Sequence, residues 1–115
     1  MDTWTPLSFE QLQELIAEGE AKMDSELLRV WEEVRITPAK WQLPPWGDDG
    51  GGFWVVAIAD AAIGEYALYY NDIEGGFNFS AFSTTGTLNE YRCGQGDLRD
   101  SIYEVWSFRA KSNTK

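Results

Sequence analysis

Residues 53–82, FWVVAIADAAIGEYALYYNDIEGGFNFSAF, leave the chain little freedom of fold. They hold three short runs rich in aromatic and β-branched residues, separated by Gly- and Asp-bearing punctuation, which is how consecutive antiparallel strands read. The first run, residues 53–59, is almost wholly apolar, so both of its faces are expected to be covered. In the second, Tyr66, Leu68 and Tyr70 alternate with Ala67 and Tyr69. In the third, Phe77, Phe79 and Ala81 alternate with Asn78 and Ser80. Successive strand residues point to opposite faces, so one face should lie on a core and the other stay partly wet. The loop Asn71-Asp72-Ile73-Glu74-Gly75-Gly76 has the polar residues and paired glycines that a hairpin connection tolerates. A fourth strand is expected at about residues 87–93, after the turn Ser83-Thr84-Thr85-Gly86.

The flanks read as helices. Ser8 and Gln11 form a capping box, and Leu12, Leu15, Ile16, Gly19, Met23, Leu27, Val30, Trp31 and Val34 recur at helical spacing. One long helix to about Glu33 is the simplest reading; a break near residues 22–25, giving two helices, is the alternative, because Gly19 weakens the run. Pro38 ends this region. A short strand over residues 40–43 could pair only at a sheet edge, given Pro44 and Pro45, and that edge could also pair with a second copy of the chain. Asp97 caps a last helix whose apolar stripe is Leu98, Ile102, Val105 and Trp106. The expected fold class is therefore α+β in a single domain over residues 1–115. It comprises an N-terminal helical region, an antiparallel meander of three to five strands, and a C-terminal helix packed on the sheet.

The chain has no His and one Cys, Cys93, which removes Ser-His and Cys-His nucleophile systems, the usual zinc sites and any internal disulfide. A lone Cys suits a reducing compartment, and Met1-Asp2-Thr3-Trp4 lacks the basic start and apolar block of a secretory signal, so the expected location is the cytoplasm. No apolar run approaches the ~20 residues of a membrane span. The net charge of -10 excludes nucleic acid and anionic lipid surfaces as expected partners. Its distribution is informative: from Trp41 to Tyr91 there is no Lys or Arg, while Asp48, Asp49, Asp60, Glu65, Asp72, Glu74 and Glu90 fall in that span. A cationic partner should be drawn to the sheet and its loops.

Asp48, Asp49, Asn71, Asp72, Glu74 and Asn78 are the candidate binding residues, joined by Trp46; Trp41 and Trp46 flank the Pro-Pro turn and are both expected to be exposed. Trp31, Trp54 and Trp106 are expected in the core, since aromatics dominate buried area. The Asp and Asn side chains have the chemistry of Ca²⁺ or Mg²⁺ ligands, but their spacing matches no calcium loop and turn preferences account for them, so neither metal nor cofactor is expected. Gly50-Gly51-Gly52, directly before a buried strand, would let backbone approach a ligand closely or form a plain mobile loop. A carboxylate-pair glycosidase would draw on Asp72 or Glu74 with Glu65 or Glu90, but nothing fixes two of these at the required separation.

The run of residues 54–58 followed by Tyr70-Asn71-Asp72-Ile73-Glu74-Gly75-Gly76-Phe77-Asn78 resembles a pattern of small uncharacterised bacterial proteins. That resemblance covers the middle third of the chain and implies no activity, cofactor or catalytic residue. In general character, as a small acidic domain with helices around a sheet, the chain is similar to immunity proteins of bacterial toxin systems. The expected function is a non-enzymatic protein-binding module that engages a basic partner, in the manner of an immunity or inhibitor protein. The alternative is a carbohydrate- or small-ligand-binding module using Trp41, Trp46 and the loop of residues 48–52.

Overall fold

The computed structural model describes residues 5–46, 50–61 and 64–112. Two helices open it. In α1 (Phe9–Ala21) the Ser8 hydroxyl accepts the Gln11 N–H while the Gln11 side chain accepts the Ser8 N–H, so the capping box is complete. The chain then turns, and Asp24 caps α2 (Ser25–Val34) by accepting the Leu27 N–H at 2.9 Å. The single long helix is thus replaced by the broken alternative. Gly19 has a packing role as well: a Cβ there would lie 2.7 Å from Cβ of Leu98, so its bare backbone lets α1 approach α3 (Leu98–Ser112).

The sheet is a four-stranded antiparallel meander, β1 (Arg35–Trp41), β2 (Phe53–Ala61), β3 (Gly64–Asn71) and β4 (Gly76–Ala81), in sequence order. Its fourth member is β1, at the front of the chain. Pro38 is tolerated there because β1 is an edge strand, and the register with β2 slips between Arg35 and Ala39, around that proline. A second irregularity between Val55 and Ala57 inserts Val56 opposite β3, which turns Val56 and Ala57 together toward the helices.

One sheet face meets the helices. Leu12 and Ile16 from α1, Leu27, Val30, Trp31 and Val34 from α2, and Leu98, Ile102 and Val105 from α3 close over Val56, Ala57, Ala59, Leu68 and Phe77. Trp31 is fully buried, with its indole N–H donated to Glu20 at 2.7 Å. Trp54 and Trp106 are partly buried against the same core. These facts establish the α+β class, with the C-terminal helix on the sheet.

The other face is not wet. Trp41, Leu43, Phe53, Val55, Ala67, Tyr69 and Leu88 form a second buried cluster, with Phe82 and Tyr91 against it. The cover is residues 82–97, an irregular strap in place of the strand expected at 87–93. The physical reason is competition for amides. Ser80 Oγ accepts the N–H groups of Asn89 and Glu90, and the Tyr69 hydroxyl accepts that of Arg92. Side chains rising from the sheet have taken donors that a strand would have offered to a neighbouring ladder.

Candidate functional site

Both ends of the strap are tied to strand edges. At one side, Gln42 donates to Gly86 O at 2.9 Å and accepts from Leu88 N at 2.8 Å, so the edge at residues 41–43 is occupied by the chain's own backbone. At the other, Phe77 N donates to Gly96 O at 2.8 Å and Asn89 N to Ala81 O at 3.1 Å.

Three of the expected site residues serve this architecture. Asn71 is fully buried; its Oδ1 accepts the N–H groups of Ile73 and Glu74, and its Nδ2 donates to Arg92 O at 2.8 Å. It therefore shapes the β3–β4 turn and fastens the strap with one side chain. Asn78 pairs with Gly94 in both directions, Nδ2 to its carbonyl and Oδ1 from its N–H. Asp72 accepts the Leu7 N–H at 2.7 Å, holding the approach to α1, while the Trp54 indole donates to Leu7 O.

Two others converge on a residue that motif reading passed over. Trp46 is 46% exposed and stacks on Tyr91, ring centroids 4.3 Å apart and planes 27° from parallel. The Tyr91 hydroxyl lies 3.4 Å from Glu74 Oε2. A turn closed by Trp46 N to Leu43 O sets the indole, the strap sets Tyr91, and the β3–β4 turn sets Glu74. The pairing of Tyr91 with Trp46 has no short-range signal, because it depends on how the strap crosses the sheet.

Trp41 differs from expectation. It is 4% exposed and meets Phe82 edge to face at 4.9 Å, so it belongs to the second core and offers no platform to a ligand. The glycines before β2 also have an internal cause: a Cβ on Gly52 would lie 2.1 Å from Trp41 O. The close approach is to the chain's own β1, and the Gly50 and Gly51 carbonyls accept from Lys40 and Gln42. The expected site residues Asp48 and Asp49 lie outside the described residues.

The charges divide unevenly. Lys22–Asp97, Arg35 with Glu20 and Glu32, Arg99–Asp100 and Arg109–Glu33 are ion pairs of the helices and their flanks. Within residues 41–91, Glu90 is ion-paired with Arg92 at 3.0 Å. Glu65 and Glu74 are exposed at opposite ends of the sheet, so the acidic span is split rather than gathered. Among the described residues, no three His, Cys, Asp or Glu side chains are grouped to hold a metal ion, and no helix is long and apolar enough to cross a membrane.

Glu90 is held below the usual carboxylate range, first by the Ala81 N–H at 2.9 Å and then by Arg92, with burial opposing both. The folded state therefore binds this proton more weakly than the unfolded chain. Its stabilising effect is complete above the ordinary carboxylate pKa of ~4.3 and is lost as pH falls through the lower folded value. Glu90→Gln is expected to flatten the acid limb of stability, read as melting temperature between roughly pH 3 and 6. Tyr69 moves the other way: burial raises its hydroxyl above the ordinary phenol value.

The fold and surface define an α+β protein whose sheet is capped by helices on one side and by an irregular strap on the other. In comparisons with protein-family models, curated proteins and solved structures, nothing matches the chain.

Proposed function

We propose that this protein is a non-enzymatic binding module for a basic protein surface, acting as an immunity or inhibitor protein does. The observation that carries the reading is the Trp46–Tyr91 stack with Glu74 on the Tyr91 hydroxyl. It joins an exposed aromatic anchor, already braced on one face, to a carboxylate with no ion pair of its own among the described residues. Exposed aromatics that are rigid before contact lose little freedom on binding, and they are the usual anchors of interfaces. Glu74 would then meet a Lys or Arg of the partner.

Binding is tested against a panel of basic nucleases and other basic toxin domains across a range of salt. A true partner should associate more slowly as salt rises, with dissociation changing less. Trp46→Ala should weaken the complex by about tenfold or more, as loss of an anchor does. Failure to bind any basic domain, or a complex indifferent to salt and to Trp46→Ala, overturns the reading. Tryptophan quenching by a glycan panel that disappears in Trp46→Ala would put a sugar in place of the protein.

A further inference from the structure

β4 is the edge strand opposite β1, and its outward amides can be assigned. Phe77 N donates to Gly96 O, Ala81 N to the Glu90 carboxylate, and Ala81 O accepts from Asn89 N. Residues 77 and 81 thus turn their backbone groups away from β3. The β3–β4 register is unbroken from Tyr66↔Ala81 to Asn71↔Gly76, and antiparallel pairs alternate between bonded and non-bonded. Phe79, at the same parity, must also direct its N–H and C=O outward, and the strap supplies no partner at that position.

What lies there is a cleft of about 350 Å³ between α3 and residues 92–96 of the strap. Tyr66 and Phe79 contribute aromatic wall, and Asp100 and Glu104, one helical turn apart on α3, line the cleft together with Arg92. Arg92 is committed to Glu90 and Asp100 to Arg99, whereas Glu104 makes no ion pair among the described residues. The cleft therefore combines an open strand-edge donor and acceptor, an aromatic wall for an aliphatic stem, and one uncompensated carboxylate.

We propose that this cleft receives an extended, basic segment of the protein partner. The segment makes main-chain hydrogen bonds to Phe79 N–H and C=O, and sets a Lys or Arg between the aromatic wall and Glu104. The inference rests on the basic-partner reading above and deepens it. Tyr91 and Arg92 are neighbours on the strap, the first stacked on Trp46 and the second lining the cleft.

A displayed library of random heptapeptides, selected on the intact protein at low salt, supplies probes without a known partner. Selected peptides should be rich in Lys or Arg, slow hydrogen exchange at the Phe79 amide, and lose about tenfold or more in affinity for Glu104→Lys. That variant alters an exposed side chain, and its melting curve checks that it folds. Basic peptides that bind Glu104→Lys equally and instead perturb Trp46 and Tyr91 would overturn the cleft while leaving the basic-partner reading intact. Selection of acidic or neutral peptides, or of none, would overturn the cleft; the panel of basic domains then decides the broader reading separately.

Discussion

Gly76→Ala is expected to destabilise the protein by about 3 kcal/mol, near the upper end for inserting a single methyl group into a packed site. A Cβ at position 76 would lie 2.4 Å from Gly94 O and 2.4 Å from Gln95 Cα. Both are backbone atoms, so no rotamer change relieves the clash. The strap must lift, and the nearest bonds to give way are Phe77 N to Gly96 O and the two between Asn78 and Gly94. Gly75, next to it, is the informative contrast. It has φ +87 and nothing within 4 Å of its would-be Cβ, so alanine there should cost only the left-handed backbone conformation, about 1–2 kcal/mol. Urea unfolding of both variants measures the difference, and amide exchange shows where it acts. Gly76→Ala should expose Phe77 N–H and the strap well before global unfolding. An equal cost for the two glycines would mean that the strap does not press on β4.

The parts of this fold that were legible in the sequence are those decided within one or two turns of chain. Ser8 with Gln11 and Asp97 before Leu98 announce helix starts through contacts three residues long, and each is found as written. The alternation through Tyr66–Tyr70 and Phe77–Ala81 reports strand faces for the same local reason. Residues 87–93 looked like another strand because their composition suits one. They form a strap because Tyr69 and Ser80, side chains of the preceding strands, take their amides. Trp41 was expected outside because prolines follow it, yet Phe82 and Leu88 arrive from forty residues on to bury it.

The candidate site was legible in the same partial way. The polar residues of the β3–β4 turn stand out in the sequence, but a residue type does not reveal which way its hydrogen bonds run. Asn71 and Asn78 turn inward to hold the strap, and Asp72 reaches back to Leu7, whereas Glu74 faces Tyr91 and solvent. Trp46 was identified from exposure alone. Its bracing by Tyr91 needed the path of the strap, and so did the cleft beside Phe79.

Asn71 offers the sharpest test of that inward role, because two substitutions separate its functions. Asn71→Ala removes the acceptor for Ile73 N and Glu74 N together with the donor to Arg92 O. The expected loss is about 2–4 kcal/mol, since a buried group left unpaired costs ~1–3 kcal/mol while turn amides can reach water. Asn71→Asp keeps the turn acceptor but faces the Arg92 carbonyl with a second oxygen in a fully buried position. Burial of an ionised carboxylate should raise the pKa of the new aspartate in the folded state. Relative to Asn71→Ala, the new group's contribution is then greatest below the ordinary Asp pKa of ~3.9, where a protonated carboxyl can donate to Arg92 O, and it is lost as pH rises through the raised folded value. The alanine variant has no such group and should show no added pH dependence. Urea midpoints of both proteins from acid to neutral pH decide the matter: parallel curves would show that Asn71 Nδ2 contributes nothing to holding the strap, and diverging curves would locate that hold in one hydrogen bond.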